Sequence, residues 1–283
     1  MGFIAIVGGG GLGGAVAHAI AQRDRVPEIR LIDPAASIAA GKALDIVQSS
    51  PIDGFRARLT SADRVEAAVG ADAVVIADAA QGGAEHAGEP ALALVRQLVR
   101  AGNVSPIVFA GAAQRDVIEK VVTELHVPRA RVVGSAPLAL ESALRALTGL
   151  ALDASGVEVS LRVVGVPPHG AVVAWEEATA FGEPLASQLP AHVIGGLAAR
   201  IPSLWPPGPY ALASAAARVV EAIVLGSRRH YSCFIALEHG PTRAAVCSMP
   251  IRLAREGVME IYEPALTRQE RTRLDTAIQV TSG

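Results

Sequence analysis

The chain has 283 residues, of which 51% are hydrophobic and 18% are charged. Its hydrophobic content excludes an intrinsically disordered polymer, and its length can bury a large core in one or two domains. A formal net charge of −2 gives no field that would gather nucleic acid or an anionic membrane, so neither is expected as a partner. Two cysteines are too few for a disulfide framework or a four-cysteine zinc site, and no histidine spacing indicates a metal site.

The first 22 residues carry no Lys, Arg, Asp or Glu and could be mistaken for a membrane anchor. They contain seven glycines and no basic leader, which is unsuitable for a spanning helix or an export signal. We therefore expect a soluble, cytoplasmic protein.

Short apolar runs alternate with longer helical runs in the first half. The predicted strands are Phe3–Val7, Ile29–Ile32, Ala73–Ala77, Ile107–Ala110 and Arg131–Gly134. The predicted helices are Leu12–Gln22, Ser37–Val47 (with Ser37 as its cap), Ala91–Ala101, Arg115–Leu125 and Pro137–Leu147. This alternation predicts a parallel sheet with helices on both faces.

The pattern changes after about Leu150. A long β-like run, a Pro- and Gly-rich stretch, a strong helix, a strand pair and a closing helix follow in that order. They are Val157–Val166, Pro184–Pro209, Ala211–Leu225, Ser232–Glu238 with Arg243–Ser248, and Thr267–Val280. We therefore predict two domains, residues 1–150 and residues 151–283.

The sharpest motif is a G-x-G-x-x-G that runs from Gly8 to Gly13, directly after the first strand. Gly8 permits a tight turn, Gly10 lets the backbone approach a pyrophosphate, and Gly13 lets helix and strand pack closely. Asp33 ends the second strand, 20 residues beyond Gly13, where a carboxylate can bind ribose hydroxyls and favours NAD over NADP. The alternative is a nucleotide fold that no longer holds a nucleotide.

The chain resembles the malate/lactate dehydrogenase family over nearly its whole length. The likeness rests on segments in family order: Ile6–Gly13, Leu31–Asp33, Gly41–Ile46, Asp72–Ala79, Arg131–Gly134, Ala178–Leu185, Pro250–Ile261 and Leu266–Glu270. It implies an α/β fold, namely a Rossmann-type doubly wound parallel sheet followed by an α+β substrate domain. It also implies NAD as cofactor, dimers or tetramers, and a small hydroxy-acid or keto-acid substrate. The implied cofactor-binding residues are Gly8, Gly10, Gly11, Leu12, Gly13, Asp33, Ala77, Ala79 and Ala110.

The family's chemistry requires a histidine base, an aspartate that orients it, and arginines that bind the substrate carboxylates. The mobile loop after Ala79 should supply arginines, yet no Lys or Arg occurs between Arg64 and Arg96. This loop instead carries Glu85 and Glu89, which would repel a dicarboxylate.

Three further family positions depart from the pattern. The Asn-Pro turn falls on Gly111-Ala112, so its amide side chain is absent. The family's Leu-Asp-x-x-Arg helix reads Leu140 to Arg145 here, with Glu141 as the carboxylate and Arg145 one position late, about 100° around the helix. An ordinary i,i+4 pair of Glu141 with Arg145 is the simpler interpretation.

The family's Gly-x-His-Gly turn reads Gly165 to Gly170, and an ungapped alignment puts Pro167 at the position of the base. A two-residue shift would restore His169 as the base, with Glu141 as its carboxylate partner. Otherwise His169 is a surface histidine.

Three functions follow from this pattern. The first is a divergent NAD-dependent hydroxy-acid dehydrogenase with His169 as base and Glu141 as its orienting carboxylate. Arg145 or Arg96 would supply the cation, and ordinary malate turnover is not expected. The second is a catalytically inactive NAD-binding relative that acts as a sensor, scaffold or regulatory partner. The third is an enzyme for an uncharged or cationic hydroxy compound, with Glu85, His86 and Glu89 lining its pocket.

Overall fold

The structure is a computed structural model that describes residues 2–239 and 243–281. The strands, numbered along the chain, are β1 (Ile4–Val7), β2 (Glu28–Ile32), β3 (Arg58–Ala62), β4 (Ala73–Ile76), β5 (Ile107–Phe109), β6 (Val132–Gly134), β7 (Val159–Ser160), β8 (Val163–Val166), β9 (Gly170–Val173), β10 (Thr179–Ala180), β11 (Glu183–Pro184), β12 (Tyr231–His239), β13 (Arg243–Ala254) and β14 (Gly257–Ile261). The helices are α1 (Gly11–Arg23), α2 (Ala36–Asp53), α3 (Gly88–Arg100), α4 (Arg115–Thr123), α5 (Ala136–Ala151), α6 (Leu185–Gln188), α7 (Ala191–Ala199), α8 (Pro209–Leu225) and α9 (Arg268–Thr281).

The first six strands form a parallel sheet in the order β3-β2-β1-β4-β5-β6. This is the strand order of the dinucleotide-binding doubly wound fold, with the order reversing between β1 and β4. All residues of β1 and β4 are buried, as expected for central parallel strands covered on both faces. The predicted α/β fold class is confirmed.

The sheet continues beyond β6 into the second half of the chain. Antiparallel strands β12, β13, β8 and β9 extend it, and β14 pairs with β13. A smaller antiparallel sheet contains β11, β10 and β7. The main-chain ladder between β6 and β12 joins segments on the two sides of residue 150, and the division into two domains there stays a prediction.

Two hydrophobic clusters form the core. The larger contains the parallel sheet, α1, α8 and parts of β12 and β13, including the buried free thiols of Cys233 and Cys247. The smaller lies between α5, β7, β8, β10 and α7, with Leu140 and Leu144 fully buried. In the described residues, no helix is long and apolar enough to cross a bilayer.

Several element predictions need correction. Helix α2 begins at Ala36 with Ala35 as its N-cap, so Ser37 lies inside the first turn and caps nothing. The run predicted as one strand, Val157–Val166, forms a short helical turn followed by β7 and β8. The predicted turn at Glu238–Pro241 lies partly outside the described residues.

Candidate functional site

The carboxyl ends of β1 and β4 meet at the point where the strand order reverses, and the glycine-rich turn crosses this edge. Gly8 adopts φ +113° and its N–H donates to Ile32 O at 2.8 Å. A Cβ on Gly13 would lie 1.9 Å from Gly8 O, so only glycine lets α1 pack this closely on the strand end. Gly10 is the N-cap of α1. The turn therefore has the peptide geometry that the motif predicted.

The N-terminus of α1 is capped by the side chain of Asp78, which follows the end of β4. The carboxylate of Asp78 accepts the N–H of Leu12 at 2.9 Å and the N–H of Gly13 at 2.7 Å. The Gly10 N–H donates to the main-chain carbonyl oxygen of Asp78 at 3.0 Å. Asp78 is only 5% exposed. These N–H groups lie in the first helical turn and have no intrahelical partner, so Asp78 supplies the acceptor they need.

The carboxylate of Asp33 is also hydrogen-bonded to backbone N–H groups. Its Oδ2 accepts from Gly9 N at 2.8 Å and Ala80 N at 2.9 Å, and its Oδ1 accepts from Ala35 N at 2.9 Å. Burial raises the pKa of Asp33, but the three backbone donors outweigh burial and leave that pKa below its ordinary value. Its carboxylate is ionised and held at the end of β2, with its oxygens turned to backbone N–H groups.

The loop after β4 folds back on the sheet edge as a narrow turn. His86 N donates to Ala77 O at 2.9 Å, and Ala79 N donates to Ala84 O at 3.1 Å. The carboxylate of Glu85 accepts from the N–H groups of Ala112 at 3.0 Å and Ala113 at 2.7 Å. A glutamate thus lies on the turn where the family resemblance places an asparagine.

The side chain of Gln114 is fully buried and holds this loop in place by hydrogen bonds. Its Oε1 accepts from Gly111 N at 2.7 Å. Its Nε2 donates to the carbonyls of Ala77 at 3.1 Å and His86 at 2.8 Å. One side chain therefore joins the end of β4, the loop and the turn after β5.

The three loop residues proposed for an uncharged or cationic substrate are not brought together in one pocket. Glu85 binds the turn after β5, whereas Glu89 forms an exposed ion pair with Lys120 at 3.1 Å. His86 lines a cavity of about 250 Å³, and burial lowers its pKa. The other residues lining that cavity are Val7, Ile32, Pro34, Asp63, Arg64, Val65, Glu66, Leu94 and Gln97.

Glu141 lies on α5 and is 2% exposed. Its carboxylate accepts from Ser232 Oγ at 2.6 Å and from Arg162 Nη1 at 3.4 Å. Burial, the largest influence, raises the pKa of Glu141, opposed by Arg162 and Ser232. The expected i,i+4 pair with Arg145 is wrong, because Arg145 Nε donates to the Val159 carbonyl at 2.6 Å instead.

His169 lies in the turn between β8 and β9 and is exposed. It lines a cavity of about 730 Å³, together with Pro167, Pro168 and Arg273. Among the contacts of the described residues, no hydrogen bond or ion pair joins His169 to Glu141. The structure therefore does not assemble the predicted pair of base and orienting carboxylate.

The predicted cofactor-binding residues do meet at one edge of the sheet. Ala77 N donates to Val7 O at 2.9 Å, and Ala110 N donates to Ile76 O at 3.0 Å, so both extend the parallel ladder. Ala79 follows in the loop. Sequence reasoning missed Asp78 and Gln114. The available signal for Asp78 was a carboxylate that directly follows a strand predicted to neighbour the glycine-rich turn.

These residues fit a dinucleotide only in part. The glycine turn and the strand ends supply the peptide frame of a pyrophosphate site. The carboxylate of Asp78 accepts the N–H groups at the helix N-terminus that such an anion would bind, so a pyrophosphate could bind them only in place of this carboxylate. In the described residues, no group of three or more His, Cys, Asp or Glu side chains is arranged to hold a metal ion.

Comparison with known proteins gives relatives along the whole chain. A family model for the lactate/malate dehydrogenase NAD binding domain matches residues 3–99. Malate dehydrogenase from Thermomicrobium roseum is 28% identical over 289 residues, covering 96% of this chain and 93% of the relative. L-lactate dehydrogenase A from Rhizopus oryzae is 28% identical over 296 residues, covering 98% and 90%. The match to an NAD binding domain confirms the prediction of NAD as the cofactor.

Solved structures share the fold. Malate dehydrogenase from Aeropyrum pernix superposes with a TM-score of 0.86 at 21% identity, covering 98% of this chain and 96% of that one. Lactate dehydrogenase from Cryptosporidium parvum, complexed with lactic acid and nicotinamide adenine dinucleotide, gives 0.85 at 20% identity, covering 99% and 95%. At such low identity the likeness establishes the fold alone.

Proposed function

We propose that this chain is a divergent NAD-binding member of the malate/lactate dehydrogenase family, and that it does not oxidise malate or lactate as an ordinary dehydrogenase does. The doubly wound sheet, the glycine-rich turn and NAD as cofactor are common ground with the family. The proposal concerns the substrate site next to the cofactor site, where the groups that would bind and react with an acid substrate are replaced.

The observation that carries the proposal is the position of Glu85. A hydroxy-acid substrate needs planar cations that bind its carboxylate bidentately. The loop that should supply them contains no Lys or Arg, and its Glu85 carboxylate lies against the N–H groups of Ala112 and Ala113. A negative charge therefore takes the place of a positive one. Removing one desolvated cation from a carboxylate site costs about 2–5 kcal/mol, which lowers kcat/KM by about 30-fold to 5,000-fold for each cation lost.

The proposed catalytic groups support the same conclusion. A base must be held near the reacting hydroxyl and oriented by a carboxylate. His169 is exposed, and Glu141 is hydrogen-bonded to Ser232 and Arg162. Arg145 binds the backbone carbonyl of Val159. We infer that Glu141 and Arg145 hold α5 in place, and that His169 is the base for any remaining hydride transfer.

Steady-state kinetics test the proposal. NAD reduction with malate or lactate, and NADH oxidation with oxaloacetate or pyruvate, should stay at background for the wild-type chain. The variants are His169→Ala and a matched control, His192→Ala, which changes an exposed histidine on α7. Turnover at the rate of an ordinary dehydrogenase, lost in His169→Ala and kept in His192→Ala, would contradict the proposal and favour the active alternative.

We further propose that the chain assembles into dimers or tetramers in the cytoplasm and acts there as a sensor, scaffold or regulatory partner. Helix α2 supports assembly, since it buries only Ala39, Ala43 and Ile46 within the chain. It leaves Leu44 58% and Ile52 87% exposed. Analytical ultracentrifugation of the wild type and Ile52→Glu should show dimers or larger for the former and a shift toward monomers for the latter. A wild-type monomer would contradict assembly.

A further inference from the structure

Asp78 binds the N–H groups that give a glycine-rich turn its affinity for a pyrophosphate. An anion binds there because the first N–H groups of the helix point at it and the helix dipole is positive at that end. In this chain the N–H groups of Leu12 and Gly13 donate to the two oxygens of the Asp78 carboxylate, at 2.9 Å and 2.7 Å. The anion that they hold is part of the protein.

The space at the turn is filled as well. Glycine at the middle of the motif exists so that a phosphate can approach the backbone. A Cβ built on Gly10 would lie 2.3 Å from Asp78 Cγ and 2.3 Å from Asp78 Oδ2. The room that Gly10 leaves open is thus the room that the aspartate takes. At 5% exposure, Asp78 is enclosed on the other sides too.

Neighbouring N–H groups along the same edge are satisfied in the same way. Asp33 takes the N–H groups of Gly9 and Ala80, and Glu85 takes those of Ala112 and Ala113. Three internal carboxylates therefore neutralise the carboxyl edge of β1, β4 and β5. Of the three carboxylates, only that of Asp78 accepts N–H groups inside the first turn of a helix, where a ligand phosphate would compete for the same donors.

We propose that Asp78 is the residue that sets the affinity of this chain for dinucleotides, because its carboxylate competes with the pyrophosphate of NAD for the N-terminus of α1. The inference rests on the proposed function, which retains NAD binding. NAD binds after the Asp78 side chain leaves the two amides, and the cost of that displacement lowers the apparent affinity. Ligands without phosphate, which do not need this position, are unaffected.

The test compares NADH binding, followed by fluorescence titration, in the wild type and three variants. Asp78→Ala removes the competing anion, and Asp78→Asn keeps its shape while removing its charge. Asp153→Asn is the matched control, since it makes the same charge change at an exposed residue with φ +52°, a conformation that asparagine tolerates. Adenosine, titrated by calorimetry, serves as the probe without phosphate. Circular dichroism establishes that each variant is folded.

We expect Asp78→Ala to bind NADH at least about tenfold more tightly than the wild type, as loss of one competing charge-assisted contact implies. Asp78→Asn should fall between them, and Asp153→Asn should match the wild type. Adenosine affinity should be equal in all four proteins. Equal NADH affinity in wild type and Asp78→Ala would overturn the inference, as would a parallel gain for adenosine or no NADH binding in any variant. The proposed function fails separately, by turnover of malate or lactate.

Discussion

Removing Asp78 should destabilise the unliganded protein even though it strengthens dinucleotide binding. The Asp78→Ala variant loses the acceptor of the Leu12 and Gly13 N–H groups. A hydrogen bond to a charged group contributes about 1.5–3 kcal/mol, and loss of a helix cap costs about 0.5–2 kcal/mol. We therefore expect a loss of about 2 kcal/mol, not the sum of two bonds.

The measurement is urea unfolding of the wild type and Asp78→Ala, with and without inorganic pyrophosphate. An anion that occupies the vacated position at 100 times its dissociation constant would return about 2.7 kcal/mol to the variant. The wild type should gain little, because its site is filled. Asp116→Ala is the matched control: Asp116 lies in the first turn of α4, is exposed, and pairs with Arg115. Its loss should cost less than about 1 kcal/mol.

Two results would refute this reasoning. If Asp78→Ala were as stable as the wild type, the carboxylate would not be holding the helix N-terminus. If pyrophosphate stabilised both proteins equally, the anion would be binding elsewhere and Asp78 would not compete with it.

Three further predictions concern the carboxylates and the loop. Glu141 has a raised pKa, so its contribution to stability is present at low pH and is lost as pH rises; the free energy of unfolding of Glu141→Gln, measured relative to the wild type, should therefore increase from mild acid to mild alkali. Asp33 has a lowered pKa, so its contribution is lost as pH falls through that pKa; Asp33→Asn should cost about 2 kcal/mol at neutral pH in urea unfolding, with the difference shrinking in acid. Gln114→Ala removes the partner of the Gly111 N–H and of the His86 carbonyl, while the Ala77 carbonyl keeps the His86 N–H; the variant should cost about 2 kcal/mol, with faster proteolysis of residues 80–87. Unchanged unfolding or cleavage would contradict each one.

The parallel half of the fold could be predicted because its buried strands and amphipathic helices have clear periodicity. Observed bounds differ from the predicted ones by a few residues for most of these elements, and α2 extends to Asp53. Strand β3 escaped prediction because Arg58–Ala62 is a polar edge strand with no fully buried residue. Strand β9 follows two prolines and a histidine, which indicate a loop more than a strand.

The candidate site was harder because its contacts join residues far apart in the chain. The glycine turn and Asp33 could be found from local spacing alone. Asp78 lies 65 residues beyond Gly13, and only the parallel order β1-β4 brings the two together. For Glu85 the sequence indicated a charge that repels acids, but its hydrogen bonds depend on how the loop folds, which periodicity does not encode.

The proposals for Asp78 require that its carboxylate binds the N-terminus of α1 in the unliganded protein. The most direct test is amide hydrogen exchange at Leu12 and Gly13, measured by NMR on the unliganded wild type. Neither N–H group has a partner within α1, so their protection must come from Asp78. We expect both amides to exchange slowly in the wild type and rapidly in Asp78→Ala. Rapid exchange of both amides in the wild type would contradict the account.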